Sequence, residues 1–266
     1  MEVQAGTETE AVSLATVNGV ATITIDRPAK KNAVTAAMWT ALIETVETVS
    51  AMSDARVLIL RGAGADFSAG ADIAEFDTVR RDAQTARAYE DLNARTFAVI
   101  RNASVPTIAA IRGACLGGGF GLAVSCDLRL ATREARFSIP AAKLGLAYPA
   151  DGMRHIVWAI GPQLARYLVY SGNPISAEQA QAAGLLLDVV GDDELDRRVE
   201  ALAATIAANA PLTNRATKQA INAILADDAA MMAQAERLGH MTFDSEDYAE
   251  GRRAFRERRP PVFSGK

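Results

Sequence analysis

Apolar and polar positions alternate between two spacings along this chain. Short β-rich runs occur at residues 17–26 (VNGVATITID), 56–61 (RVLILR), 106–112 (PTIAAIR) and 128–131. In the first, an Asn-Gly pair stands in front of a period-two alternation, which predicts a hairpin. The others are continuous apolar runs that predict buried strands. Helical spacing lies between them, starting with a helix over about residues 35–52 for which Asn32 is the expected N-cap. Strands alternating with helices predict an α/β fold. After Leu195 the strand pattern stops. Helical periodicity covers 195–209, 212–226 and 229–243, and 252–259 (RRAFRERR) adds a basic helical end. The expected division is a core over 1–200 and a helical region over 201–266, packed on its own core or on a neighbouring subunit.

Half of the 266 residues are apolar and 23% are charged, enough for a large core and too apolar for disorder. A net charge of -4 gives no global field to attract nucleic acid or anionic lipid. No uncharged apolar run is long enough to span a bilayer, and the first residues, MEVQAGTETEAV, lack a signal-peptide core. A cytoplasmic protein without nucleic-acid or membrane partners is the expectation. The two cysteines, Cys115 and Cys126, are too few for a disulfide framework and read as small buried thiols. The two histidines, His155 and His240, are too isolated to suggest a metal site.

Two glycine-containing loops carry the candidate chemistry: 62–75 (GAGADFSAGADIAE) and 112–126 (RGACLGGGFGLAVSC). Each follows a predicted strand. Glycines where a strand turns into a helix bring a ligand close to main-chain N–H groups, where the helix N-terminus adds free donors. Neither loop has the spacing of a dinucleotide fingerprint, and no Walker sequence is present.

Taken together, the run Phe67-Ser68-Ala69-Gly70-Ala71-Asp72-Ile73 and the run Gly113-Ala114-Cys115-Leu116-Gly117-Gly118-Gly119 resemble the crotonase superfamily of enoyl-CoA hydratases and isomerases. The resemblance extends to Asp26-Arg27-Pro28 with Asn32, to Phe137-Ser138-Ile139-Pro140 with Leu144-Gly145, and to tail positions from Phe243 to Arg259. It implies a spiral of β-β-α turns followed by a helical trimerisation region, and assembly as a homotrimer or homohexamer. It implies an acyl-CoA thioester as substrate, coenzyme A being part of that substrate rather than a separate cofactor. The backbone N–H groups of Ala71 and Gly118 would form the oxyanion hole. Ala69, Asp72 and Ile73 would meet the adenine, and Lys30 and Lys31 the CoA phosphates. Phe243 and Arg258 match tail positions that reach a pocket, sometimes across a subunit boundary, although Phe243 also suits simple packing.

The chain departs from the hydratase pattern at two positions. Hydratases of this family carry a glutamate three residues after the oxyanion glycine, where this chain has Gly121. They carry a second one after the proline of the Phe-Ser-Ile-Pro run, where it has Ala141. Neither residue can hold a proton, so isomerase-like or other variant chemistry is expected over hydration. A thioester hydrolase or decarboxylase of the same superfamily and a catalytically silent acyl-CoA binder are the alternatives. Asp151 is the candidate replacement base, with an N-cap as its structural reading. His155 stands four residues beyond it. Tyr148, Glu75 and Asp77 are further polar residues within reach of such a pocket.

Overall fold

The computed structural model describes residues 11–266, so the reading of the first ten residues lies outside it. The strands are β1 (Val12–Val17), β2 (Val20–Ile25), β3 (Val57–Gly62), β4 (Thr107–Ile111), β5 (Ala114–Leu116), β6 (Leu128–Thr132), β7 (Arg136–Ser138), β8 (Ile175–Ser176) and β9 (Asp188–Val190). The helices are α1 (Ala36–Ala51), α2 (Phe76–Val79), α3 (Ala83–Arg101), α4 (Gly118–Ser125), α5 (Ala150–Ser171), α6 (Ala177–Ala182), α7 (Leu195–Ala208), α8 (Pro211–Ala226), α9 (Ala229–Met241) and α10 (Glu246–Glu257).

β1 and β2 form the predicted hairpin, with Val17 opposite Val20. Asn18 and Gly19 both take positive φ, the twist that a two-residue hairpin turn requires. β2 opens a parallel series that completes a six-stranded sheet in the order β1-β2-β3-β4-β6-β9. A smaller ladder runs beside it. Val34 bridges Ala71, Ser68 bridges Cys115, and β5, β7 and β8 continue the pairing. Successive turns of the chain thus give a long strand to one sheet and a short one to the other before entering a helix. This is the expected β-β-α spiral.

Both faces of the large sheet are covered, which is why its strands read as unbroken apolar runs. Ile23, Ile25, Leu58, Leu60, Ala109 and Ile111 share the main core with Met38, Trp39, Leu42 and Val46 of α1. Val57, Ile59, Ile108 and Leu130 meet Leu195, Val199 and Ala203 of α7 in a second core. Full burial of each such Leu, Ile or Val contributes about 1.5–3 kcal/mol.

Two local expectations are corrected. Thr35, not Asn32, caps α1 by accepting from the Met38 N–H. Asn32 takes a left-handed conformation, accepts from Arg27 N and donates to the carbonyls of Ala63 and Asp66, so it fastens the first glycine loop instead. The last helix begins at Glu246, capped by Ser245, earlier than its basic end suggested. Its buried Asp247 accepts from Ser264 N at 2.7 Å and Gly265 N at 3.1 Å, which ties the C-terminal segment back onto the helix.

Candidate active site

The smaller ladder sets the site because it fixes both glycine loops at once. Ser68 O accepts from Leu116 N, Ser68 N donates to Ala114 O, and Val34 N donates to Gly70 O. Gly70 has a φ of 90°, and a Cβ there would lie 2.7 Å from Leu116 O and 2.8 Å from Gly118 N. Only glycine permits that approach. Gly117, at φ 51° and ψ -114°, then turns β5 into α4, leaving Gly118 as the first helical residue.

This geometry brings Ala71 N to 3.5 Å from the point where a Gly118 Cβ would stand. Neither the Ala71 N–H nor the Gly118 N–H finds an acceptor among the described residues. Gly118 has none inside its helix because the first N–H groups of any α-helix are free. Trp39, fully buried, backs the pair, and its indole N–H donates to the Tyr89 hydroxyl at 2.9 Å. Burial pushes the Tyr89 phenol up to about 12.

Ala71 and Gly118 both line one cavity of about 100 Å³. Its apolar wall includes Ile73, Phe76, Phe97, Ile139, Leu144 and Leu146. Its polar wall comes largely from α3 and the turn before it. Glu90, Asn93 and Phe97, spaced one helical face apart, all line it. Arg80 stacks over the rings of Phe76 and Tyr89 at 4.6 and 4.8 Å and pairs with one oxygen of Glu90. Little in the sequence marks this pair. The one signal available was that i, i+3, i+7 row ending in an aromatic.

Gly121 and Ala141 are the two positions at which the family resemblance leads one to expect glutamates. Ala141 lines the cavity and is buried. The space in front of Gly121 is filled from elsewhere. A Cβ there would stand 2.4 Å from the Tyr148 hydroxyl and 2.5 Å from Phe97 Cζ. Gly152 of α5 gives way to the other side of the same ring, its Cβ position lying 2.8 Å from Tyr148 Cε1. The Tyr148 hydroxyl is buried without a hydrogen-bond partner among the described residues, and burial pushes its phenol well above the ordinary range.

Of the residues singled out from sequence, Ala69, Ala71, Ile73 and Gly118 line the cavity. Lys30, Lys31 and Asp72 are gathered beside them. Lys31 O accepts from Ala69 N, Asp72 N donates to Val34 O, and Lys30 acts on the Asp72 charge. The Asp72 carboxylate is held by Arg27 at 2.9 Å and caps the short turn at Ile73–Glu75 through Ala74 N. Its carboxyl lies below the usual range because the Arg27 and Ala74 hydrogen bonds outweigh the opposing effect of burial, the largest single influence on it.

Asp151 lies in the first turn of α5, whose N-cap is Pro149, so it makes no capping bond. Its carboxylate is 59% exposed, meets Arg101 at 2.6 Å and His155 at 3.9 Å, and is not among the cavity-lining residues. Glu75 accepts from Ala36 N at the start of α1. Phe243 stacks edge-on against Tyr248, and Arg258 ends α10 in a left-handed conformation. Neither lines the cavity of its own chain. Cys115 and Cys126 are buried in the core, and burial pushes both thiols up, Cys126 to about 12, so neither is a poised nucleophile. Among the described residues no three His, Cys, Asp or Glu side chains are grouped to hold a metal ion, and no helix is long and apolar enough to cross a membrane.

The sequence profile described as enoyl-CoA hydratase/isomerase matches residues 15–266. The chain is 34% identical to the crotonyl-CoA hydratase of Syntrophomonas wolfei, over 93% of this chain and 95% of that protein. It is 33% identical to the 2,3-dehydroadipyl-CoA hydratase of Escherichia coli, over 92% and 94%. Among solved structures, an enoyl-CoA hydratase/carnithine racemase from Magnetospirillum magneticum superposes with a TM-score of 0.90 at 38% identity, covering 96% of both chains. With the spiral fold and this full-length match, the chain belongs to the enoyl-CoA hydratase/isomerase family of the crotonase superfamily and is an enzyme of that family.

Proposed function

We propose that this enzyme binds an acyl-CoA thioester, stabilises its enolate between the Ala71 and Gly118 N–H groups, and moves a proton rather than adding water. One observation carries the reading. Ala71 and Gly118, whose N–H groups the fold does not use, line a cavity whose wall includes Ala141, and Gly121 packs against the Phe97 and Tyr148 rings of that wall. Ala141 and Gly121 are the two positions at which the family resemblance expects carboxylates. Fixed main-chain donors favour the state in which the thioester oxygen is most negative, so they lower the barrier to taking a proton from the α carbon. Without two carboxylates to orient and deprotonate water, hydration loses its acid–base assistance.

The rest of the thioester fits the same reading. The cluster of Ala69, Asp72 and the half-exposed Ile73 suits the adenine, with Lys30 and Lys31 beside it for the phosphates. The acyl-CoA class is supported by relatives that are named for such substrates. Self-association belongs to this reading as well. Ile221, Ile224, Met241, Phe243 and Phe255 leave large apolar side chains exposed on the helical end, and Phe243 and Arg258 would reach a CoA cleft only from a neighbouring subunit.

The test uses saturated acyl-CoAs of increasing chain length in D₂O. The expected result is enzyme-dependent uptake of deuterium at the α carbon, read by mass. Retention of the thioesters with no uptake across the series would replace this reading with that of a silent binder.

A further inference from the structure

An enolate enzyme needs a base at the α carbon, and the positions at which the family resemblance puts carboxylates hold none. Glu90 is the one carboxylate among the residues that line the cavity. It lies on α3, where Glu90, Asn93 and Phe97 present a single face to the cavity that Ala71 and Gly118 also line. Arg80 holds Glu90 by its Oε1. Arg80 is itself fixed by stacking on Phe76 and Tyr89, so the carboxylate is clamped from one side. The second oxygen, Oε2, has no hydrogen-bond partner among the described residues. A half-buried arginine that immobilises one oxygen and leaves the other free holds the carboxylate in a fixed position facing the cavity it lines. Asp151, by contrast, spends its carboxylate on Arg101 and His155 outside the lining of the cavity.

We propose that Glu90 is the catalytic base, with Arg80 as its positioning residue. This rests on the enolate reading above. Glu90 Oε2 takes the α proton. The C–H bond breaks, an O–H bond forms on the carboxyl, and the electron pair moves onto the thioester oxygen between the two N–H donors. The carboxyl O–H trades its proton with solvent, and delivery of the solvent-derived proton (a deuteron in D₂O) to the same carbon completes exchange. Delivery to the γ carbon of a 3-unsaturated chain moves the double bond. No other reactant is consumed.

The experiment compares wild type, Glu90→Gln and Glu90→Asp by deuterium uptake from D₂O, by acyl-CoA binding and by melting temperature. For Glu90→Gln, which keeps the shape and an oxygen for Arg80, uptake is expected to fall by about 10²- to 10⁴-fold with binding and melting temperature retained. Glu90→Asp withdraws the oxygen by one methylene but keeps its charge opposite Arg80, so it is expected to stay folded with an intermediate rate. Wild-type uptake in Glu90→Gln overturns the role of Glu90 and leaves the enolate reading standing. A wild-type protein that takes up no deuterium overturns both. Loss of uptake in Asp151→Asn together with its survival in Glu90→Gln would move the base to Asp151.

Discussion

Gly118→Pro is expected to reduce α-proton exchange by about 10²- to 10³-fold, the loss that follows removal of one oxyanion-hole donor, about 3 kcal/mol. A main-chain donor is ordinarily out of reach of substitution, but this one stands where proline is tolerated. Gly118 is the first residue of α4, so its N–H closes no helical bond and proline's fixed φ suits the position. The steric cost is separable. Any Cβ at 118 stands 3.0 Å from Trp39 Cζ2 and needs a shift of a few tenths of an ångström. Gly118→Ala introduces that Cβ and keeps the N–H. The difference in exchange rate between the proline and alanine variants therefore isolates the donor, with melting temperature and acyl-CoA binding as checks. Equal rates in the two would remove the N–H of Gly118 from the chemistry.

Gly121→Glu, which puts back the first hydratase carboxylate, is expected to destabilise the protein and to confer no hydration. The new Cβ would fall 2.4 Å from the Tyr148 hydroxyl and 2.5 Å from Phe97 Cζ. Both rings would have to leave packed positions. Phe97 packs edge-on against Trp39 at 5.8 Å, and Tyr148 is wedged against Gly152. Overpacking of this kind costs about 1–3 kcal/mol, before the cost of burying a carboxylate. For a chain of this size that lowers the melting temperature by several degrees, at about 2–4 °C per kcal/mol. Tyr148→Ala opens the contested space, so the double variant is expected to be more stable than the sum of the two single effects. A Gly121→Glu protein that melts like wild type and hydrates a 2-enoyl-CoA would contradict the packing argument.

The elements legible in the sequence are those whose evidence is local. The β2 alternation, the apolar runs of β3, β4 and β6 and the 3.6-residue spacing of α7, α8 and α9 are each contained in one short segment. The two glycine loops were legible because their glycines mark where backbones must approach. Asn32 was misread because its side chain answers to Ala63 and Asp66, thirty or so residues away, while the nearer Thr35 takes the cap. The filling of the space at Gly121 was not legible at all. It needs Tyr148 from one segment, Phe97 from another and the clearance at Gly152, and no window of sequence contains all three. Nothing local in the sequence marks Glu90 and Arg80, whose contact exists only once the turn after α2 packs on α3 beside the cavity.

The central claim is that this site makes an enolate and does not add water. Its most direct test is the wild-type enzyme with a 2-enoyl-CoA in D₂O enriched in ¹⁸O, followed by mass. The account predicts migration of the double bond or deuterium incorporation with no ¹⁸O in the acyl chain. A product heavier by one D₂¹⁸O, a hydroxyacyl-CoA with ¹⁸O in its acyl chain formed at a rate that outpaces proton exchange, would contradict it.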